Sequence, residues 1–107
     1  MDKLNNILIN YIGQSEKNVF FETSFIAANL SFKKIGEILM GESKIIEELP
    51  EENIYIVSVK ILFNPATAAI EVKDGQINIV AAAREGLIKQ HTAKKAVDKI
   101  KSAIAGK

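Results

Sequence analysis

The side chains best suited to chemistry are five cationic residues in the C-terminal part of the chain. They are Arg84, Lys89, His91, Lys94 and Lys95, and His91 is the only histidine of the protein. Arginine and lysine bind carboxylates and phosphates through charge-assisted hydrogen bonds, and a histidine can exchange a proton near neutral pH. The cluster therefore predicts a ligand-binding or anion-binding surface formed by these five residues.

A catalytic role for this cluster would have to depend on Arg84 and His91. A general base needs a second group that orients it, and a zinc site needs three or four ligands. The chain has no cysteine and no second histidine to complete either arrangement. We therefore predict no catalytic residue, and an enzyme that uses Arg84 and His91 ranks third among the functions considered.

Sequence motifs for metals and cofactors are also absent. Four glutamates surround Pro50 and could offer oxygen atoms to a cation, but they lack the alternating spacing and central glycine of a calcium loop. The glycine-rich phosphate-binding patterns and the Gly-x-Ser-x-Gly pattern of serine hydrolases do not occur. The sequence accordingly predicts no metal site and no cofactor.

Charge is distributed unevenly along the chain. Residues 1–53 contain five lysines against nine acidic residues, whereas residues 54–107 contain nine basic residues against four acidic ones. A basic C-terminal helix could bind a polyanion such as a nucleic acid. Residues 84–107 contain one arginine and no aromatic residue, so that binding would be weak and nonspecific.

Length and composition place further bounds on the protein. The 107 residues, 48% of them apolar, suffice for a single domain over residues 1–107 with its own core. The lack of cysteine favours a reducing compartment, and we expect a cytoplasmic protein. No apolar run is long enough to span a membrane, and the first 13 residues lack the basic start and unbroken apolar stretch of a signal peptide.

Three segments have the apolar spacing of an amphipathic helix, namely residues 2–12, 32–40 and 92–105. Ser31 is suitably placed to cap the second helix and Thr92 to cap the third. Gly36 lies inside the second helix, where glycine costs about 1 kcal/mol relative to alanine. Between the second helix and the next strand, residues 42–53 form an acidic connector without clean periodicity.

Four segments have the alternation of a half-buried strand: residues 18–26, 53–63, 66–73 and 76–83. Asp74 and Gly75 are a preferred pair for a two-residue turn, which makes Lys73 face Gln76 and fixes the register behind it. A longer loop is expected at Asn64 and Pro65, because proline cannot adopt the positive φ of such a turn.

These elements predict an α+β domain of two layers, with helices on one face of an antiparallel four-stranded sheet and the order α-β-α-β-β-β-α. The register of the hairpin groups small side chains on one face, where we expect the alanine-rich helix 92–105 to pack closely. These small residues are Ala66, Ala68, Ala81 and Ala83.

The favoured function is that of a non-enzymatic binding or protein-interaction domain. Apolar residues on the nominally outer side of two strands could be covered by a helix or by a partner subunit; these are Phe20, Ile26, Ile54, Ile56 and Leu62. An open sheet also leaves edge strands that can pair with another chain. We therefore expect a homodimer or another protein partner, and the sequence leaves a small-molecule ligand unknown.

Overall fold

The computed structural model describes residues 2–61, 64–85 and 91–106. The helices are α1 (Asp2–Ile12), α2 (Phe32–Glu42) and α3 (Thr92–Ala105). The strands are β1 (Asn18–Ile26), β2 (Lys44–Leu49), β3 (Ile54–Ile61), β4 (Asn64–Lys73) and β5 (Gln76–Arg84). All five strands belong to one antiparallel sheet with the order β1-β5-β4-β3-β2. The α+β class and the antiparallel sheet are thus as predicted.

The β4–β5 hairpin has the predicted register. Lys73 faces Gln76, and the pairing continues without a shift to Thr67 and Ala82. Asp74 and Gly75 have φ angles of 53° and 77°, which are the positive values that a type I′ turn requires at both central positions.

The prediction of four strands was wrong, because the acidic connector contains a fifth. Within residues 42–53, β2 pairs with β3 at the edge of the sheet, and Ile46 is an extra residue in a β-bulge between Ile45 and Glu47. The bulge breaks the two-residue alternation by which strands are recognised in a sequence. Its presence explains why this segment showed no clean periodicity.

The prediction of two layers was also wrong, since helices cover both faces of the sheet. Helix α1 packs on one face, where Leu4 and Leu8 contact a second apolar cluster of the sheet. Ile54 and Ile56 belong to this cluster and are fully buried, so that α1 is the helix that covers them. Leu62, the third residue predicted on this outer side, lies outside the described residues.

Helices α2 and α3 cover the opposite face, which carries the four alanines of the hairpin. These alanines belong to one buried cluster with Ala93, Ala96, Val97 and Ile100 of α3. Small side chains on both sides allow the helix and the sheet to approach closely. The prediction that α3 covers the alanine face is therefore confirmed.

Strand β4 begins earlier than predicted, at Asn64. Asn64 and Pro65 are not a loop but the first residues of β4, where they pair with Ile61 and Lys60. Pro65 has no backbone N–H to donate toward the neighbouring strand. The side-chain amide of Asn64 instead donates a hydrogen bond of 3.0 Å to the carbonyl of Arg84, which satisfies that end of β5.

Helix α2 is held against the sheet by Tyr55. Its ring stacks on Phe32 with the centroids 4.1 Å apart, and its hydroxyl donates a 2.7 Å hydrogen bond to the Phe32 carbonyl. Burial, together with the negative charges of Glu48 and Glu37, raises the pKa of the Tyr55 hydroxyl above its ordinary value. The hydroxyl therefore remains a donor over the whole neutral pH range.

Candidate functional site

The described members of the predicted cationic cluster do not all lie on the same face of the sheet. Arg84 is exposed at the end of β5 and lines a pocket with Ile12 and Thr67 on the side of the sheet that α1 covers. Lys94 and Lys95 are exposed on α3, which packs on the other face, and His91 is exposed just before that helix. Lys89 lies outside the described residues. Binding of an anion by these residues stays a prediction.

Some of the lysines of α3 already have interactions within the chain. The Lys94 ammonium lies 2.8 Å from a carboxylate oxygen of Asp98 and 5.8 Å from the centre of the Phe21 ring. Lys101 lies in the same way over Phe25, at 5.5 Å. The ammonium groups of both lysines therefore lie over aromatic rings of β1, in the arrangement of a cation–π contact. Lys95 and Lys99 are exposed on the outer side of the helix.

The beginning of α3 is capped by a residue that the sequence pattern did not indicate. Thr92, predicted as the cap, is the first helical residue, and its hydroxyl accepts a 3.1 Å hydrogen bond from Asn64. His91 occupies the cap position with a φ of 54° and makes no side-chain cap hydrogen bond. Instead, the carboxylate of Glu85 accepts a 2.9 Å hydrogen bond from the N–H of Thr92. An acidic group at a helix N-terminus also interacts favourably with the helix dipole.

We expect the Glu85→Ala substitution to lower the free energy of unfolding by about 1–2 kcal/mol, as the loss of a helix cap does. The Glu85→Gln variant keeps an acceptor oxygen and should lose less. Urea unfolding of the three proteins measures the difference. An equal loss of unfolding free energy in the two variants would contradict a role for the hydrogen bond. The stabilisation would then come from the negative charge of Glu85.

Strand β1 exposes backbone hydrogen-bonding groups along one edge of the sheet. Two bonds that flank the β1–β5 ladder fix its phase: Ala27 N–H donates to the Gly75 carbonyl at 2.8 Å, and Glu85 N–H donates to the Lys17 carbonyl at 3.0 Å. Antiparallel pairs alternate between hydrogen-bonded and non-hydrogen-bonded residues, so the odd-numbered residues of β1 bond to β5.

The even-numbered residues of β1 consequently point their N–H and C=O groups away from the sheet. Asn18 bonds to the loop before the strand through its N–H, which donates to the Ser15 carbonyl. Among the described residues no further strand pairs along this side of β1. The outward backbone groups belong to Phe20, Glu22, Ser24 and Ile26.

The side chains of β1 are unusually apolar for an edge strand. Phe20 is 40% exposed and Ile26 is 78% exposed. Phe20 also lines an open cleft of about 450 Å³ between the strand and the C-terminal part of α1, together with Ile9 and Gln14. Phe21 and Phe25 are half-buried on the α3 side. Glu22 is the only charged residue of the strand.

The opposite edge of the sheet has the features by which proteins prevent edge-to-edge pairing. Strand β2 has six residues, of which Lys44, Glu47 and Glu48 are charged, and the bulge at Ile46 interrupts it. Short length, charge and bulges all discourage the addition of another strand. Strand β1 has nine residues in unbroken register and contains neither lysine nor proline. Of the two edges, β1 is therefore the candidate binding site.

Sequence reasoning identified the exposed residues of β1 but not the edge itself. The alternation placed Phe20 and Ile26 on the outer side, as the structure does, yet it could not show which strand ends the sheet. The neighbour of β1 is β5, whose paired residues lie 50 to 66 positions later in the chain. Only the order of the strands, which depends on this distant pairing, distinguishes the open edge.

Comparison with known proteins finds no matching family model, no matching curated protein and no matching solved structure. Across the described residues, no helix is long and apolar enough to cross a membrane. The same part of the chain contains no group of three or more histidine, cysteine or acidic residues that could hold a metal ion. The function is therefore inferred from the geometry of β1.

Proposed function

We propose that the chain is a protein-interaction domain that binds an extended segment of a polypeptide as an additional strand along β1. One observation carries the proposal: a long, regular edge strand presents the backbone groups of four residues, and nothing in the described chain pairs with them. Strand addition of this kind uses main-chain hydrogen bonds for affinity and side-chain contacts for specificity.

The side chains beside this edge suit such a ligand. Successive residues of a bound strand would point alternately to the α1 side and the α3 side of the sheet. On the α1 side they would meet Phe20, Ile26 and the cleft beside Ile9. On the α3 side they would meet Phe21 and Phe25. An alternately apolar peptide is therefore the preferred ligand.

The basic surface of α3 supports the alternative of polyanion binding less well. Lys94 is paired with Asp98, and both Lys94 and Lys101 lie over aromatic rings of β1. These contacts draw two of the lysines toward the edge and away from the outer side of the helix. The absence of cysteine from the sequence supports a cytoplasmic location for the proposed interaction.

The proposal is tested by selecting ligands from a random nine-residue peptide library. The protein is immobilised sparsely, so that the copies on the surface cannot reach one another. We expect enrichment of peptides with alternating apolar residues. In solution too dilute for copies of the chain to pair with one another, such a peptide should slow the hydrogen exchange of the amides of Phe20, Glu22, Ser24 and Ile26, because these N–H groups gain acceptors.

A pair of proline variants supplies the control. Glu22→Pro removes an outward N–H from an exposed position, and proline is tolerated on an edge strand where the N–H faces solvent. We expect it to fold and to lose peptide binding. Thr23→Pro removes an N–H that bonds to β5 and should destabilise the fold. Equal enrichment of peptides on the wild type and on Glu22→Pro, or no enrichment at all, would overturn the proposal.

A further inference from the structure

We infer that the partner strand is β1 of a second copy of this chain, paired antiparallel about a twofold axis that passes between the two Thr23 residues. This inference rests on the proposed function, since it names the ligand of the same edge. In this arrangement the two five-stranded sheets become one continuous sheet.

The phase of the backbone restricts how two copies can pair. Hydrogen-bonded pairs across the new interface must join even-numbered residues, because only these point their N–H and C=O groups outward. An axis at Glu22 would place the two Glu22 carboxylates opposite each other, which is unfavourable for like charges. An axis at Ser24 would place Phe20 opposite Ala28 and would leave the exposed Ile26 opposite Glu22.

An axis at Thr23 gives the complementary register on the α1 side of the sheet. Phe20 then lies opposite Ile26 of the second copy, so that the two exposed apolar side chains on this side of the strand cover each other. Glu22 lies opposite the small, uncharged Ser24 of the second copy, so that the two Glu22 carboxylates are not placed opposite each other. Each outward backbone group of Phe20, Glu22, Ser24 and Ile26 obtains a partner.

The same register is complementary on the α3 side. Phe21 lies opposite Phe25 of the second copy, and aromatic pairs across neighbouring strands are stabilising. Thr23 lies opposite its own equivalent. Lys94 and Lys101 of the two copies approach each other beside these rings, and Asp98, which bonds to Lys94, offsets part of the repulsion. Association should therefore become tighter as salt is added.

The contrast between the edges supports a second copy as the occupant. Charge, a bulge and short length protect β2, and none of these devices protects β1. A strand that pairs with itself needs no such protection, because the second copy covers the edge. The strand is also self-complementary in its own sequence, which a surface adapted to an unrelated partner need not be.

Disulfide cross-linking tests the register directly. The chain contains no cysteine, so that each single substitution creates a unique thiol. Residues opposite each other in a non-hydrogen-bonded pair have Cα atoms about 4.5 Å apart, within the range of a disulfide. We expect Thr23→Cys to form a covalent dimer on mild oxidation, visible on a non-reducing gel. Glu22→Cys and Ser24→Cys are matched controls one residue away and should cross-link much less.

Sedimentation at micromolar concentration supplies the second measurement. We expect the wild type to sediment as a dimer and Glu22→Pro as a folded monomer. A wild-type monomer would refute pairing with a second copy. If library peptides still bound to that monomer, and if Glu22→Pro abolished their binding, the proposed function would stand. A dimer that survives Glu22→Pro and is not cross-linked through Thr23→Cys would overturn the inference; if peptides also failed to bind, both proposals would fall.

Discussion

Replacement of Leu8 by alanine lowers the free energy of unfolding by about 2–5 kcal/mol, the usual cost of truncating a fully buried leucine. The Leu8 side chain has no exposed surface and packs with Leu4 of α1 against Ile54 and Ile56 of the sheet. The change removes apolar contacts and leaves a cavity between the helix and the sheet. Since small proteins have total stabilities of about 5–15 kcal/mol, this loss is a large part of the whole.

Tyr11→Ala is the matched control, because Tyr11 lies on the same helix but is 40% exposed. Urea unfolding should give a much lower midpoint for Leu8→Ala than for Tyr11→Ala, with little change in the slope of either transition. Similar midpoints for the two variants would contradict the packing of α1 on the sheet.

The layer formed by α1 shows why part of the fold escaped prediction. The periodicity of residues 2–12 indicates a helix with one apolar face, but not the face of the sheet on which it packs. Ile54 and Ile56 were the available signal, as they are apolar at positions that a two-layer fold would expose. A helix and a partner subunit explain such residues equally well from sequence alone. The structure shows that α1 covers Ile54 and Ile56.

The hairpin was predictable because its information is local. Asp74 and Gly75 determine the turn, and the turn determines the register of both strands. Strand β2 was missed for the opposite reason, since the extra Ile46 interrupts its alternation. The contact of β1 with β5 depends on residues far apart in the chain, so the edge site could not be identified before the strand order was known.

The charged residues illustrate a further limit of the sequence. Arg84, Lys94 and Lys95 are close in the chain, yet β5 and α3 place Arg84 toward one face of the sheet and the two lysines on the other. Closeness in sequence implies closeness in space only within one element. The apolar residues of β1, which belong to a single strand, do remain together.

Gly36→Ala is expected to destabilise the protein by about 1–3 kcal/mol, although alanine is the better helix former. A Cβ atom at this position would overlap the Tyr55 hydroxyl and lie 2.8 Å from its Cζ. The ring cannot move away easily, because it is buried, stacked on Phe32 and hydrogen-bonded to its carbonyl. Gly36 has a low helix propensity, but its missing side chain is what allows Tyr55 to pack against helix α2.

Gly41→Ala provides a control of opposite sign within the same helix. A Cβ atom at Gly41 would meet no side chain and no other element within 4 Å beyond its chain neighbours, so the substitution should stabilise the protein by about 0.5–1 kcal/mol through helix propensity alone. In the Tyr55→Phe background, where the nearest overlapping atom is gone, Gly36→Ala should cost less than it does in the wild type. Urea midpoints of the single and double variants measure this coupling. Stabilisation by Gly36→Ala, or an unchanged cost in the Tyr55→Phe background, would show that contact with the Tyr55 hydroxyl does not require glycine at position 36.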